Sequence, residues 1–250
     1  MPTNTLQDWF DTPLGRYVLE KERAYLDDVT PDIFGFHAIQ LGLPGLDLLR
    51  ENRITHRVRV AAEGEPNVYA RCHELPFATQ SIDLALLPHV LEFAEDPHEV
   101  LREVDRVMMP EGRLVILGFN PWSLWGLRSA LGFSRNRYPW NGRFVSLLRV
   151  KDWLALLGFD VNAGRLIAYA PPFDNDRLRR RFGFMEPAGD RWWAVGGAVY
   201  MLQAIKRVRG MRLITPAWQE KDAREKALVA AAKREAHHAS KPAVHLRIVK

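Results

Sequence analysis

The stretch from Ile82 to Phe119 constrains this chain more than any other. SIDLALLPHV is an almost wholly apolar run, RLVILGF is a second, and DPHEVLREVDRVMMPEG lies between them with the marks of an amphipathic helix. Asp96 can cap its first turn, Pro97 suits the first helical position, and Glu99 stands three residues after the cap. Val100, Leu101, Val104, Val107 and Met108 share one stripe, and Pro110-Glu111-Gly112 ends the pattern. Two apolar strands joined by such a helix form a parallel pair, and a parallel sheet needs helices on both faces.

Further short runs repeat the theme. Phe36 to Leu41 ends at Gly42 as a buried strand entering a turn does; His56 to Val60, Val68 to Cys72 and Phe159 to about Tyr169 are also expected strands. Trp193 to Ile205 reads as an edge or near-edge strand. Helices are expected from Tyr17 to Asp28, from Leu46 to Glu51, and over KDWLALLGFDV up to Gly158. The expected fold class is α/β: a doubly wound, mostly parallel, seven-stranded sheet. Residues 1–33 would form an N-terminal helical cover, 34–215 the main domain with an insertion at 120–145, and 216–250 a helical or disordered tail. A chain of 250 residues that is 47% hydrophobic and 26% charged can bury one substantial core, which excludes disorder of the whole.

Several function classes drop out early. Cys72 is the single cysteine, so neither a disulfide within the chain nor a cysteine-based zinc cluster can form. The first thirty residues lack the apolar core of a signal peptide, and the most apolar stretch, Trp192 to Leu202, falls short of the roughly 20 residues that span a bilayer. A cytoplasmic location is the expectation. The net charge of +5 is partly gathered at Arg177, Arg179, Arg180 and Arg181 and at Lys206, Arg207, Arg209 and Arg212. Without a helix-turn-helix or an aromatic platform these read as solvated or substrate-edge charges rather than a nucleic-acid footprint.

In an open α/β sheet a ligand lies beyond the carboxyl ends of the strands where strand order reverses. Residues 40–45, 61–65, 72–75 and 87–89 occupy that edge. The segment LPFATQSIDLALLPHVLEFAEDPHEVLREVDRVMMPEGRLVILGF is similar to the central block of class I S-adenosylmethionine-dependent methyltransferases of the type 11 group. With its flanking strands the resemblance covers about residues 34–170 and implies a Rossmann-like fold, S-adenosyl-L-methionine as cofactor, no metal, and a small-molecule or lipid-like acceptor. Carried over by position, it implies that Gln40, Gly42, Gly45, Glu63, Cys72 and His73 surround the cofactor. His89, as a neutral imidazole at the end of the fourth strand, could take a proton from the acceptor or be a hydrogen-bonded structural residue.

Three positions depart from the family's pattern. Gln40 stands where its first strand commonly ends in an acid, Ala61 and Ala62 stand where the ribose-binding acid is usual, and Arg71 replaces an acid before Leu-Pro-Phe. Glu63 is the nearest substitute for the ribose ligand. These departures keep a second reading open: a catalytically inactive methyltransferase fold that binds a ligand or a protein.

The insertion NPWSLWGLRSALGFSRNRYPWNGRF combines Trp122, Trp125 and Trp140 with Arg128, Arg135, Arg137 and Arg143. It reads as a lid over a hydrophobic substrate, a peripheral membrane contact through residues 122–140, or a packing element. The expectation is a mobile amphipathic cover with Trp125 on its outward apolar side. Asn120-Pro121-Trp122 is only a partial echo of the motif of amino-directed DNA methyltransferases, which makes a nucleic-acid substrate the least favoured.

Overall fold

The computed structural model describes residues 5–132, 137–173, 175–193 and 195–207. The expected tail at 216–250, with Arg209 and Arg212, lies outside them, as does Arg135. Seven strands form one sheet: β1 His37–Leu41, β2 His56–Ala61, β3 Val68–Tyr69, β4 Ile82–Pro88, β5 Met108–Phe119, β6 Phe159–Ile167 and β7 Val199–Lys206. Their order is β3-β2-β1-β4-β5-β7-β6, with β7 antiparallel to both neighbours and the other pairings parallel. The chain leaves β1 toward one edge and later returns to lay β4 on its other side, so the switch point lies between β1 and β4.

The apolar runs are continuous because both faces of the sheet are covered. Leu84 and Leu86 of β4 join a core with the N-terminal segment, while Ala85 and Leu87 join the opposite core with helices α3 Pro97–Val107 and α5 Leu147–Leu156. Helix α3 forms as its sequence dictates: the Asp96 carboxylate accepts hydrogen bonds from the backbone N–H of His98 and Glu99, and Val100, Leu101, Val104 and Val107 are buried. From this helix Glu103 accepts the Leu75 N–H at 2.7 Å, and Arg106 donates to the carbonyls of Leu75 and Phe77. Leu-Pro-Phe and Leu-Arg-Glu-Val are thus two halves of one staple holding the loop before β4.

The helix expected from Tyr17 starts earlier, at Pro13, and another precedes it. A capping box between Thr5 and Asp8 opens α1 Leu6–Phe10, and Thr12 caps α2 Pro13–Val29, which buries Val18, Leu19, Tyr25 and Leu26. Two short helices, α6 Asp176–Arg181 and α7 Met185–Trp192, precede β7 where the sequence pattern suggested none.

The expected helix from Leu46 to Glu51 does not form, and the crossover from β1 to β2 consists of turns. Gly42 and Leu43 both adopt left-handed backbone, with φ of +78° and +47°. The buried Gln40 amide then supplies what a helical ladder would have supplied. Its Nε2 donates to the carbonyls of Gly42 (3.2 Å), Leu43 (3.1 Å) and Leu46 (2.8 Å), and its Oε1 accepts the Leu48 N–H at 3.1 Å. Leu43, Leu48, Leu49 and Ile54 are buried beneath this loop.

The insertion also departs from expectation. Helix α4 Leu124–Ala130 is capped by Ser123, and Trp125 is 1% exposed rather than outward. Its ring stacks on Phe119 at 6.1 Å, lies 5.6 Å from Trp140, and donates its indole N–H to the Ala170 carbonyl at 2.9 Å. Tryptophan composition suggested one outward face; instead Trp125 and Trp140 are core and Trp122 is exposed. Asn120 is architectural too, its amide donating to the carbonyls of Val195 and Gly197. Replacing Trp125→Ala is therefore expected to cost about 3–5 kcal/mol in urea unfolding. A change below about 0.5 kcal/mol would return Trp125 to the surface.

Candidate functional site

A cavity of about 610 Å³ opens at the carboxyl ends of β1, β2 and β4, the edge where a doubly wound sheet places its ligand. Gly42, Glu63, Cys72, His73 and His89 all line it, joined by Phe93 and Tyr138 from the β4–α3 loop and the insertion. Gly42 presents an open side, because a Cβ there would find nothing nearer than Val90 Cγ2 at 3.6 Å. Its left-handed φ explains why the chain uses glycine at the first residue after β1. Glu63 is exposed just beyond β2, free of the sheet and at the rim of the cavity. Cys72 and His73 are half-buried along the cavity, and burial pushes the Cys72 thiol up to about 11, so it stays neutral at physiological pH.

Gln40 and Gly45 are not among the residues that line this cavity. The Gln40 amide is turned into the crossover loop by the hydrogen bonds described above. Gly45 faces the N-terminal cover: its N–H donates to Gln7 Oε1 at 2.9 Å, and a Cβ would fall 2.1 Å from Gln7 Nε2. Both positions serve the architecture of the turn, which places Gly42 and Leu43 against the cavity.

His89 carries two readings from the sequence, a neutral imidazole that takes a proton or a hydrogen-bonded structural residue, and the geometry bears on both: the ring is buried and both nitrogens meet carboxylates. Nε2 lies 2.7 Å from Glu22 Oε1, and Nδ1 lies 3.3 Å from Glu92 Oε1. Burial by itself would lower the imidazole's pKa; the charges and hydrogen bonds of Glu22 and Glu92 outweigh it and raise it to about 10. The ring is an imidazolium, stacked on Phe119 at a centroid distance of 4.2 Å, with left-handed backbone at φ +54°. Glu92 also accepts the Phe119 N–H at 2.5 Å, which ties the start of the β4–α3 loop to the end of β5. Tyr200 lies beside it, its hydroxyl pKa held well above 10 by burial and then by the charge of Glu92.

Neither glutamate was singled out from sequence, although each left a signal. Glu22 stands on the stripe of α2 shared by Val18, Leu19, Tyr25 and Leu26, and a carboxylate on an apolar stripe calls for a buried partner. Glu92 is the acid of the Leu-Glu pair after β4. Because the folded pKa of His89 exceeds the unfolded value of about 6.5, its contribution to stability is complete below that pH and declines as pH rises through about 10. Denaturant unfolding is expected to show this loss over the alkaline window, and His89→Gln to flatten the slope. An imidazole ¹⁵N spectrum of the neutral form at pH 7.5 would overturn the assignment.

Comparison with known proteins places the domain. Residues 43–116 match the model of the family described as "Methyltransferase domain". The uncharacterized protein YafS of Escherichia coli K12 is 40% identical over 155 residues, covering 61% of this chain and 65% of that protein. The uncharacterized protein Rv2003c of Mycobacterium tuberculosis is 30% identical over 181 residues, covering 66% and 60%. The chain thus spans between 60% and 65% of the length of these curated relatives. A solved S-adenosylmethionine-dependent methyltransferase from Archaeoglobus fulgidus superposes with a TM-score of 0.52 at 21% identity, over 75% of this chain and 94% of that one. The chain has the fold of these S-adenosylmethionine-dependent methyltransferases, and the family match falls on residues 43–116 of it.

Proposed function

We propose that this chain binds S-adenosylmethionine in the cavity at the β1–β4 switch point and transfers its methyl group to a small or lipid-like acceptor. The observation that carries the reading is the convergence of Gly42, Glu63, Cys72 and His73 on one cavity of about 610 Å³. Their chemistry fits the cofactor. Gly42 leaves the β1 turn open for close approach of a ligand to the backbone, Glu63 can accept hydrogen bonds from ribose hydroxyls, and the half-buried 72–73 segment offers a wall for the base.

The bound cofactor would supply an electrophilic methyl group; the protein's part is to align the acceptor and keep water away. Cys72, held as a neutral thiol, does not compete as nucleophile. His89, held as an imidazolium with both nitrogens engaged, is a positioning residue in this reading and not the base. An acceptor whose nucleophile is already ionised suits such a site better than one that needs a protein base.

A second reading, binding without methyl transfer, draws on Gln40: no acid from the end of β1 is present to attract the cofactor's ammonium group, and the amide that replaces it is occupied. Calorimetric titration with S-adenosylmethionine and S-adenosylhomocysteine tests the proposal directly. Binding in the micromolar range is expected, and no heat at millimolar ligand would overturn it. Glu63→Ala should lose about 1.5–3 kcal/mol, or roughly 10- to 150-fold in affinity, through the missing charge-assisted hydrogen bonds. Unchanged affinity would remove Glu63 from the site.

A further inference from the structure

We infer that a single-chain amphiphile with an anionic head group binds across helix α4, its chain in a second cavity on the far side of that helix. The inference deepens the proposed function, since it rests on reading the first cavity as the methyl donor's site and assigns the acceptor's class. The second cavity, of about 730 Å³, lies between α4 and α7 and falls in the size range of small-molecule pockets. Leu127, Tyr169 and Met185 wall it together with the rings of Trp122, Phe184 and Trp193. Trp122 is 78% exposed, Phe184 64% and Trp193 58%, a gathering of large apolar side chains around a hollow that solvation alone does not explain.

Continuity with the first cavity selects the occupant. Pro121, Gly126 and Ala130 wall both the second cavity and a cleft of about 520 Å³ that also touches Trp140 and Phe144. Gly142 in that cleft packs so closely on Phe93 that a Cβ would lie 2.6 Å from the ring, and Phe93 lines the first cavity. Among the described residues, Pro121, Gly126 and Ala130 thus link the second cavity to the cleft, and the Gly142–Phe93 contact links the cleft to the first cavity. The chemistry of the hollows grades in the same direction. Among the described residues, the cleft carries Arg143, Asn141 and Ser129, whereas the second cavity is walled mainly by apolar and aromatic groups. An anionic head group beside Arg143 and an alkyl chain beyond α4 match that gradient, and the ionised head is the kind of acceptor that the imidazolium at His89 leaves to be methylated.

The experiment is a calorimetric titration of the whole chain with dodecanoic acid below its micellar concentration, with dodecanol, and in parallel with S-adenosylhomocysteine. Saturable one-to-one binding of dodecanoic acid is expected. Leu127→Glu, at a position 57% exposed and so tolerant of a charge, should weaken it at least about tenfold. Ala130→Trp, at an exposed position of the shared wall, should do the same by filling the passage. Arg143→Gln should weaken dodecanoic acid and leave dodecanol unchanged, and all three variants should bind S-adenosylhomocysteine as the parent does. The inference is overturned if the parent binds S-adenosylhomocysteine but not dodecanoic acid, or if Leu127→Glu and Ala130→Trp bind the acid as the parent does. It is also overturned if anionic phosphatidylglycerol vesicles capture the protein while monomeric acid does not, which would make the face a membrane surface. Self-association abolished by Leu127→Glu, without acid binding, would likewise assign the face to a second copy. Binding of the acid with silence toward S-adenosylhomocysteine would support the chain site and defeat the donor reading alone.

Discussion

One buried cation organises the functional end of this molecule. His89 sits at the end of β4, Glu22 comes from the middle of α2, and Glu92 from the loop that leads to α3, so a single imidazolium joins the N-terminal cover, the switch-point strand and the end of β5. Where water is excluded none of these three buried polar side chains is tolerable alone, and removing one partner leaves the others without their hydrogen bonds. The cover is therefore placed over the sheet by electrostatics as well as by the apolar stripe of α2. That placement also brings Leu6 to the cavity wall and Gln7 to Gly45.

The same residue shows how far chemistry can be inferred from a position in the chain. An imidazole at the carboxyl end of the fourth strand is well placed for general base work, and His89 is among the residues that line the cavity. Its protonation is decided by Glu22, 67 residues away, and a spacing of that length has no local signature. Position at the cavity and availability for proton transfer are separate properties, and His89 lines the cavity with both ring nitrogens already engaged.

The sheet was legible because parallel strands buried on both faces are continuous apolar runs, and α3 because its cap, proline and stripe agree with one another. The β1–β2 crossover was not. Leu46 to Glu51 has apolar residues at spacings a helix could use, yet the Gln40 side chain offers the backbone an alternative set of bonds. In the insertion the failure was of another kind. Composition assigns Trp122, Trp125 and Trp140 the same character, while the packed structure buries two and exposes one. Of the site residues read from the resemblance, those that line the cavity sit just past strand ends, where position alone fixes exposure; Gln40 and Gly45 differ because each meets a partner the motif does not contain.

The helix-free crossover has a consequence for how this edge of the molecule opens. Within a helix each amide is released by breaking bonds to its own neighbours in the chain, so fraying proceeds turn by turn. Between Gly42 and Leu48 the principal polar anchor is one side chain rooted in β1, and rotation of the Gln40 amide would release the carbonyls of Gly42, Leu43 and Leu46 and the N–H of Leu48 together. Of these groups only the Leu48 N–H carries an exchangeable hydrogen, while the N–H groups of Gly42 and Gly45 stay held by the Val60 carbonyl and by Gln7. Gly42 and Leu43, whose carbonyls are among the groups released, also wall the cavity, so the turn beside it can yield without any strand of the sheet unpairing.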